Sequence, residues 1–158
     1  MIESLRKFTT EFLSKAINKE VQIISHYDTD GITSAAIIIT ALQRKNIRFS
    51  LKIVKQLDED TIKLLDQNKI LLFLDLASNS FDYLKKLKSE IFILDHHEIM
   101  LKIPENVRII NPHLFNEEEI SGSGLAYLFA KQIDEKNKDL AYLAVIGMIG
   151  DSLEKNIT

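Results

Sequence analysis

Three short, mostly apolar runs in this chain each end at a side chain that can bind a metal ion. The runs cover residues 21–25 before His26, residues 70–74 before Asp75 and residues 91–94 before Asp95. Apolar, often β-branched runs of this length predict buried strands. Open α/β sheets bind ligands at the carboxyl ends of their strands, so three such ends side by side would gather these groups into one crevice. That arrangement suits a pair of divalent metal ions.

The rest of the chain alternates between helical and extended patterns. Helices are predicted over residues 3–19, 32–45, 58–67, 80–88, 123–135 and 138–149, and strands over 21–26, 48–54, 70–75, 91–94 and 107–110. This alternation predicts an α/β fold with a doubly wound, mainly parallel five-stranded sheet and helices on both faces. A length of 158 residues suits one domain, which we expect to span residues 1–158.

Composition limits the kinds of site that the chain can build. It has no cysteine, so disulfides, thiolate metal sites and a cysteine nucleophile are excluded, and oxygen and nitrogen must hold any metal. No apolar run approaches membrane-spanning length, so we expect a cytoplasmic protein without membrane association. A net charge of −3 counts against strong unaided binding of nucleic acid. Two divalent cations would, however, reverse the charge inside an acidic crevice.

The segment from His26 to Gly31 has two interpretations. If the chain stays extended after His26, alternate side chains point to one side, so His26, Asp28 and Asp30 could address the same space. Gly31 then lets the backbone turn into a helix, whose first amides favour a phosphate oxygen. The structural alternative is an Asx turn with Asp30 or Thr33 capping the helix.

Asp75 and the Asp95-His96-His97 tripeptide are stronger candidates. A carboxylate buried at the end of an apolar strand is costly unless it is paired or bound to metal. The structural alternative for Asp75 is a cap on the turn at residues 78–80. Adjacent imidazoles at a strand end point in different directions, so at most one of His96 and His97 is a ligand of a given ion. A surface histidine pair is the alternative there.

Three later segments are secondary candidates. Asp151 follows Gly147 and Gly150, whose small size permits close packing of a helix end, and taken alone it is a helix-terminal residue without function. Residues 111–113 follow a predicted strand and residues 121–124 precede a predicted helix. Both segments could donate hydrogen bonds to a phosphate, although both patterns also fit a strand exit or a helix N-cap.

Taken together, these motifs resemble the DHH phosphoesterase superfamily, and within it the RecJ-type single-strand nucleases and their archaeal relatives. The resemblance covers about residues 20–151, with every motif in order. It is carried by residues 25–35, 74–75, 95–98, 111–112 and 147–151. A DHH-associated C-terminal domain, which grips the substrate in this family, is expected to be absent, and the domain alone is expected to hydrolyse long strands poorly.

The resemblance implies a phosphodiesterase that hydrolyses single-stranded DNA or RNA through a water bridging two divalent ions. Mn²⁺ is favoured because it accepts imidazole more readily than Mg²⁺, which is the other candidate. One ion would be held by His26, Asp28 and Asp75, and the other by Asp30, Asp75, His96 and Asp151. Asp75 would be the shared ligand, and the catalytic residues would be Asp75, His96 and His97.

The remaining expectations concern support of these ligands and the function of the chain as a whole. His97 would face the phosphate or support the ligands, and Asp95 could accept the other imidazole N–H and fix its tautomer. Further supporting or phosphate-binding positions would be Gly31, Ser34, Asn111, His113, Ser121 and Ser123. Replication or repair proteins are candidate partners. The alternative functions are a hydrolase of short oligonucleotides, cyclic dinucleotides or pyrophosphate, and a non-catalytic replication scaffold.

Overall fold

Five parallel strands form the centre of the protein in a computed structural model, which describes residues 1–115 and 120–155. The strands are β1 (Val21–His26), β2 (Phe49–Val54), β3 (Ile70–Leu74), β4 (Ile91–Leu94) and β5 (Val107–Ile110), in the spatial order β2-β1-β3-β4-β5. Every neighbouring pair is parallel. The sequence-based prediction of a five-stranded, mainly parallel sheet is therefore confirmed. Strands β3 and β4 are buried along their whole length, which explains their unbroken apolar sequence.

Helices cover both faces of this sheet. They are α1 (Ile2–Ala16), α2 (Thr29–Arg44), α3 (Glu59–Lys63), α4 (Phe81–Leu84), α5 (Gly122–Ile133) and α6 (Ala141–Lys155). On one face, Ile23 and Leu72 belong to a core that includes side chains of α1, α2 and α5. On the other face, Ile24 and Phe73 pack with side chains of α4 and of the segment after α3. The doubly wound α/β architecture predicted from the sequence is confirmed.

Two predicted helices are shorter in the structure because side chains take over their backbone groups. The helix predicted over residues 58–67 ends at Lys63, and the amide of Asp66 donates instead to the side-chain oxygen of Gln22. The helix predicted over 80–88 ends at Leu84. There the side-chain amide of Asn106 donates to the carbonyl oxygens of residues 84 and 87, which a continuing helix would use internally.

The last helix also differs from the prediction over residues 138–149. Residues Glu135–Leu140 form a 3₁₀ helix, which Asp134 caps by accepting from the amide of Lys136. Helix α6 begins only at Ala141 and continues to Lys155. Asp151 therefore lies within a helix rather than at its end, and the expectation of a helix-terminal residue is wrong.

The winding of the chain produces a crevice at the carboxyl ends of the strands. From β1 the chain crosses to β2 on one side, and β3 then returns to the other side of β1, so β1 and β3 flank the point where the strand order reverses. Helix α6 packs on α2 and α5. Among residues 1–115 and 120–155, no helix has the length and apolar character needed to cross a bilayer.

Candidate metal centre

Asp75 lies at the centre of the crevice, between the side chains of His26 and His96. The residue follows the last residue of β3 with a φ of 57°, and 1% of its surface is exposed. Neither oxygen has a hydrogen-bond partner among the described residues. The His96 Nε2 atom lies 3.2 Å from Oδ1, and the His26 Nδ1 atom lies 3.7 Å from Oδ2. Burial raises the pKa of Asp75. Each oxygen of Asp75 therefore faces an imidazole nitrogen without a hydrogen bond of good geometry.

His26 and Asp28 form a group on the Oδ2 side of Asp75. His26 is the last residue of β1, and its Nδ1 atom lies 2.5 Å from Asp28 Oδ2. Interaction with Asp75 raises the pKa of His26. Ligand atoms of His26, Asp28 and Asp75 lie within 4.8 Å of one another, a spacing that could hold a metal ion. Asp28 also caps α2, because its Oδ1 atom accepts from the amide of Gly31 at 2.8 Å. The alternative caps considered from the sequence, Asp30 and Thr33, are wrong.

On the Oδ1 side, ligand atoms of Asp75, His96 and His97 lie within 4.8 Å of one another, so the two adjacent imidazoles do not point apart as the sequence analysis expected. Asp30 and Asp151 also approach His96. The buried His96 Nε2 atom lies 3.8 Å from Asp30 Oδ2 and 4.0 Å from Asp151 Oδ1. Burial opposes the charged imidazole of His96, but the Asp75 carboxylate outweighs this and raises the pKa of His96. Asp30 reaches the group from the first turn of α2, not from an extended segment as the alternation suggested. Asp151 reaches it from α6.

Gly122 anchors Asp30 and was missed by the sequence analysis. The amides of Gly122 and Ser123, at the start of α5, donate to the two Asp30 oxygens at 2.6 and 3.0 Å. A Cβ atom on Gly122 would lie 2.7 Å from Asp75 Cβ and 3.0 Å from Asp30 Oδ2. Only glycine therefore fits between these two carboxylates. The signal in the sequence was a glycine directly after the N-cap serine, Ser121.

The serines of this segment contribute structurally. The Ser121 hydroxyl caps α5 by accepting from the amide of Gly124 at 3.3 Å. The Ser123 hydroxyl donates to the carbonyl oxygen of Ala144 in α6 at 3.1 Å. Ser123 and Ser34 are both 0% exposed, and the hydroxyl of Ser34 has no hydrogen-bond partner among the described residues.

Asp95 is buried next to Asp75 but is fully hydrogen-bonded. It accepts from the amides of Ser78 and His96 at 2.8 and 2.9 Å, and from His97 Nδ1 at 2.7 Å. Burial alone would raise the pKa of Asp95, but the hydrogen bonds from His97 and Ser78 lower it. Asp95 in turn raises the pKa of the half-exposed His97 to about 9. The turn-capping role considered for Asp75 belongs to Asp95, and the imidazole that Asp95 orients is that of His97.

Asn111 supports this arrangement from the end of β5. Its buried side-chain amide donates to Ser78 Oγ at 3.1 Å and to the carbonyl oxygen of His97 at 2.8 Å. Its oxygen accepts from the amide of His113, whose side chain is exposed. Gly31 packs so closely on the carbonyl of His26 that a Cβ atom would lie 2.3 Å from its oxygen. These residues shape the crevice through their backbone or by supporting others.

Lys55 is a second residue that the sequence analysis missed. It belongs to the lining of a 190 Å³ cavity that also includes His26, Asp75, Asn79 and His97. Within the described residues, Lys55 makes no salt bridge with a carboxylate. The signal was indirect: β1 and β2 align His26 with Val54, so the residue after Val54 leaves its strand beside the site. This cation could attract an anionic substrate.

Comparison with known proteins identifies the family of this chain. A family model described as the N-terminal domain of the DHH family matches residues 20–148. The chain belongs to the DHH family. The uncharacterised protein MJ0831 of Methanocaldococcus jannaschii is 34% identical over 96% of this chain. YorK, an SPbeta prophage-derived protein of Bacillus subtilis named as a single-strand DNA-specific exonuclease, is 33% identical over 80% of it.

The DHH chain is shorter than these relatives and shares its fold with a solved RecJ structure. It spans 38% of the length of MJ0831 and 24% of the length of YorK. A crystal structure of exonuclease RecJ bound to manganese superimposes with a TM-score of 0.83, at 20% identity, covering 94% of this chain and 43% of RecJ. The resemblance to RecJ-like DHH proteins seen in the sequence is confirmed.

Proposed function

We propose that this chain is the catalytic domain of a metal-dependent phosphodiesterase that hydrolyses single-stranded nucleic acid. The observation that carries the proposal is the Asp75 carboxylate. Its two oxygens are buried without hydrogen bonds, and each faces a separate group of imidazole and carboxylate ligands. A buried carboxylate that has only two imidazoles near it and no hydrogen bond of good geometry is costly, and a bound metal ion would offset that cost.

The ligand groups support two ion positions that share Asp75. His26, Asp28 and Asp75 would hold one ion, and Asp30, Asp75, His96 and Asp151 would hold the other. The donors are carboxylate oxygens and imidazole nitrogens, which suit Mn²⁺ better than Mg²⁺, and a RecJ of similar fold binds manganese. When bound, such ions activate a water molecule and stabilise the charge that develops on a phosphoryl oxygen.

The protein's own groups would position the ligands and the phosphate. The amides of Gly122 and Ser123 fix the Asp30 carboxylate, so it keeps one orientation while lone pairs remain available. Asp95 accepts from His97 Nδ1 and so orients this imidazole, whose Nε2 atom would be left to face a phosphate oxygen. Lys55 adds a positive charge to the lining of the cavity. Asn111 keeps the His97 backbone in place.

The choice of substrate rests on relatives and on charge. YorK is named as a single-strand DNA-specific exonuclease, and the positive charge of Lys55 beside the candidate metal centre suits a phosphodiester strand. A small-substrate hydrolase would share the same site. A non-catalytic replication scaffold would not need a buried carboxylate without hydrogen bonds, so the site favours an enzyme. The proposal includes association with replication or repair proteins. It also includes weak binding of long single strands by this domain alone.

A direct assay separates these functions. The protein is incubated with Mn²⁺ or with EDTA and with end-labelled single-stranded DNA, single-stranded RNA, a dinucleotide or pyrophosphate. We expect hydrolysis of short single strands in Mn²⁺ and none in EDTA. Hydrolysis of pyrophosphate alone would favour the small-substrate enzyme. Failure to hydrolyse any of the four substrates with Mn²⁺ bound would favour the scaffold and overturn the proposal.

A further inference from the structure

Tyr27 is an exposed aromatic side chain at the rim of the metal centre. It directly follows β1, and 51% of its surface is exposed. Its ring centroid lies 4.9 Å from that of His26, with an angle of 83° between the ring planes. This edge-to-face contact fixes the ring against the site and leaves about half of the side chain open to solvent. Exposed aromatic rings next to a polar crevice are typical of ligand-binding surfaces.

The neighbouring strand places a cation beside this ring. Because β1 and β2 align His26 with Val54, the next residues, Tyr27 and Lys55, leave adjacent strand ends together. Lys55 lines the cavity that contains His26 and Asp75. The His26 imidazole, against which the Tyr27 ring packs, is 3.7 Å from Asp75. An aromatic surface and a positive charge therefore flank the same side of the candidate metal centre.

We propose that Tyr27 is a stacking surface for a nucleobase of the substrate strand. This inference rests on the proposed function and deepens it, because it makes the crevice selective for nucleotides over inorganic polyphosphate. Every base has an aromatic face, so stacking on Tyr27 binds a strand without requiring a particular sequence. Lys55 would neutralise a phosphate of the same strand. Pyrophosphate has no base, so Tyr27 would add to the binding of a nucleotide strand only, whereas Lys55 would attract either anion.

A purely structural role for Tyr27 predicts different behaviour. If the ring only orients His26, its removal should weaken Mn²⁺ binding and affect every substrate equally. If it stacks on a base, its removal should weaken only the binding of strands that carry bases. Replacement by Leu keeps an apolar contact with His26 and removes the aromatic face, whereas replacement by Phe keeps the face.

The test compares the dissociation constants of a fluorescein-labelled oligothymidylate and an abasic strand of equal length, measured by fluorescence anisotropy with Ca²⁺ in place of Mn²⁺. Tyr27→Leu should weaken oligothymidylate binding by about five- to a hundredfold. Tyr27→Phe should bind within about threefold of the wild type, since stacking depends on the ring. Abasic binding should not change. Tyr142→Leu is the matched control, because Tyr142 is 60% exposed on α6, nine residues before Asp151.

Several outcomes would overturn the stacking role. For the wild type, these are equal affinity for the two strands or no binding of either strand. For Tyr27→Leu, they are an equal loss of affinity for both strands, or a loss of Mn²⁺ affinity in calorimetry while the preference for the strand with bases is retained. Base-dependent binding without hydrolysis in Mn²⁺ would keep the stacking role and overturn the proposed phosphodiesterase. Hydrolysis of single strands without any preference for bases over abasic sites would keep the proposed phosphodiesterase and overturn the stacking role.

Discussion

Asp75 and Asp95 occupy equivalent positions on neighbouring strands but have opposite surroundings. The register of β3 and β4 pairs Leu74 with Leu94, so the two aspartates leave their strands at the same level. Both are almost completely buried. Asp95 accepts hydrogen bonds from two amides and one imidazole, whereas Asp75 accepts none of good geometry. The pKa of Asp95 is accordingly lowered, and burial raises that of Asp75.

This difference separates a structural carboxylate from a ligand-binding one. All the bonding capacity of Asp95 that the structure reveals is directed at the turn after β3 and at His97, so its charge stabilises the shape of the crevice. The bonding capacity of Asp75 is directed at the space between His26 and His96. Burial and residue type alone would have given both aspartates the same role. The hydrogen-bond partners distinguish them.

The largest expected effect is on activity when Asp75 loses its charge. Asp75→Asn keeps the side-chain size but removes the negative charge and one of the two oxygens that the ions would share, so kcat/KM on a short single strand should fall by about a thousandfold or more. Asp60→Asn is the control, because the Asp60 side chain is 93% exposed. Steady-state kinetics in Mn²⁺ measures both variants. Activity of Asp75→Asn close to that of the wild type would contradict the shared-ligand role.

Removal of Asp95 should instead affect stability. Asp95→Ala leaves two buried amides and the His97 imidazole without their partner, so the free energy of unfolding should fall by about 3 kcal/mol. Asp75→Asn should lower the free energy of unfolding less than Asp95→Ala does in the metal-free protein, because Asp75 faces two imidazoles but accepts no hydrogen bond of good geometry from the described residues. Urea unfolding in EDTA measures both. Equal losses of unfolding free energy in the two variants would contradict the distinction between a structural Asp95 and a ligand-binding Asp75.

Gly122→Ala tests how tightly the two carboxylates are placed. A Cβ atom there would lie 2.7 Å from Asp75 Cβ, so Asp75 or α5 must shift, and kcat/KM should fall by about a hundredfold. Gly124→Ala is the control in the same helical turn, because its Cβ would meet the side chain of Ile120 rather than a candidate ligand. A larger loss of activity in the control would argue against the role of Gly122.

The smallest effects on kcat/KM are expected for substitutions of two residues that the family resemblance suggested for phosphate binding. His113→Ala removes an exposed side chain, and Ser123→Ala removes a hydroxyl bonded within the protein while keeping the amide that holds Asp30. Each should keep kcat/KM within about threefold of the wild type. Kinetics on the same strand measures this. A tenfold loss in either variant would place its side chain among the substrate contacts.

The sequence predicted the strand ends well because their signal is local. An apolar run followed by Asp75 or His26 marks both the strand and the place where it stops, and the parallel arrangement then brings these ends together. The helices α3 and α4 were predicted too long, because the competing partner of α4, the side chain of Asn106, is distant in sequence. Local patterns do not reveal such competition.

The finer structure of the site depends on contacts that no local pattern encodes. Asp30 is anchored by Gly122, 92 residues later, and only the folded chain shows that a Cβ atom would not fit there. Likewise, an aspartate at a strand end can cap a turn or bind a ligand. The amide of Ser78 bonds to Asp95 and not to Asp75, and this choice follows from the path of the backbone after β3.

The most direct test of the shared role of Asp75 is the number of Mn²⁺ ions bound per chain. Isothermal titration calorimetry on the wild type should give two ions, because each oxygen of Asp75 faces its own ligand group. Asp75→Asn should bind neither ion at concentrations that saturate the wild type, whereas Asp60→Asn should bind both. A wild type that binds no Mn²⁺, or an Asp75→Asn variant that still binds two ions with unchanged affinity, would contradict the account.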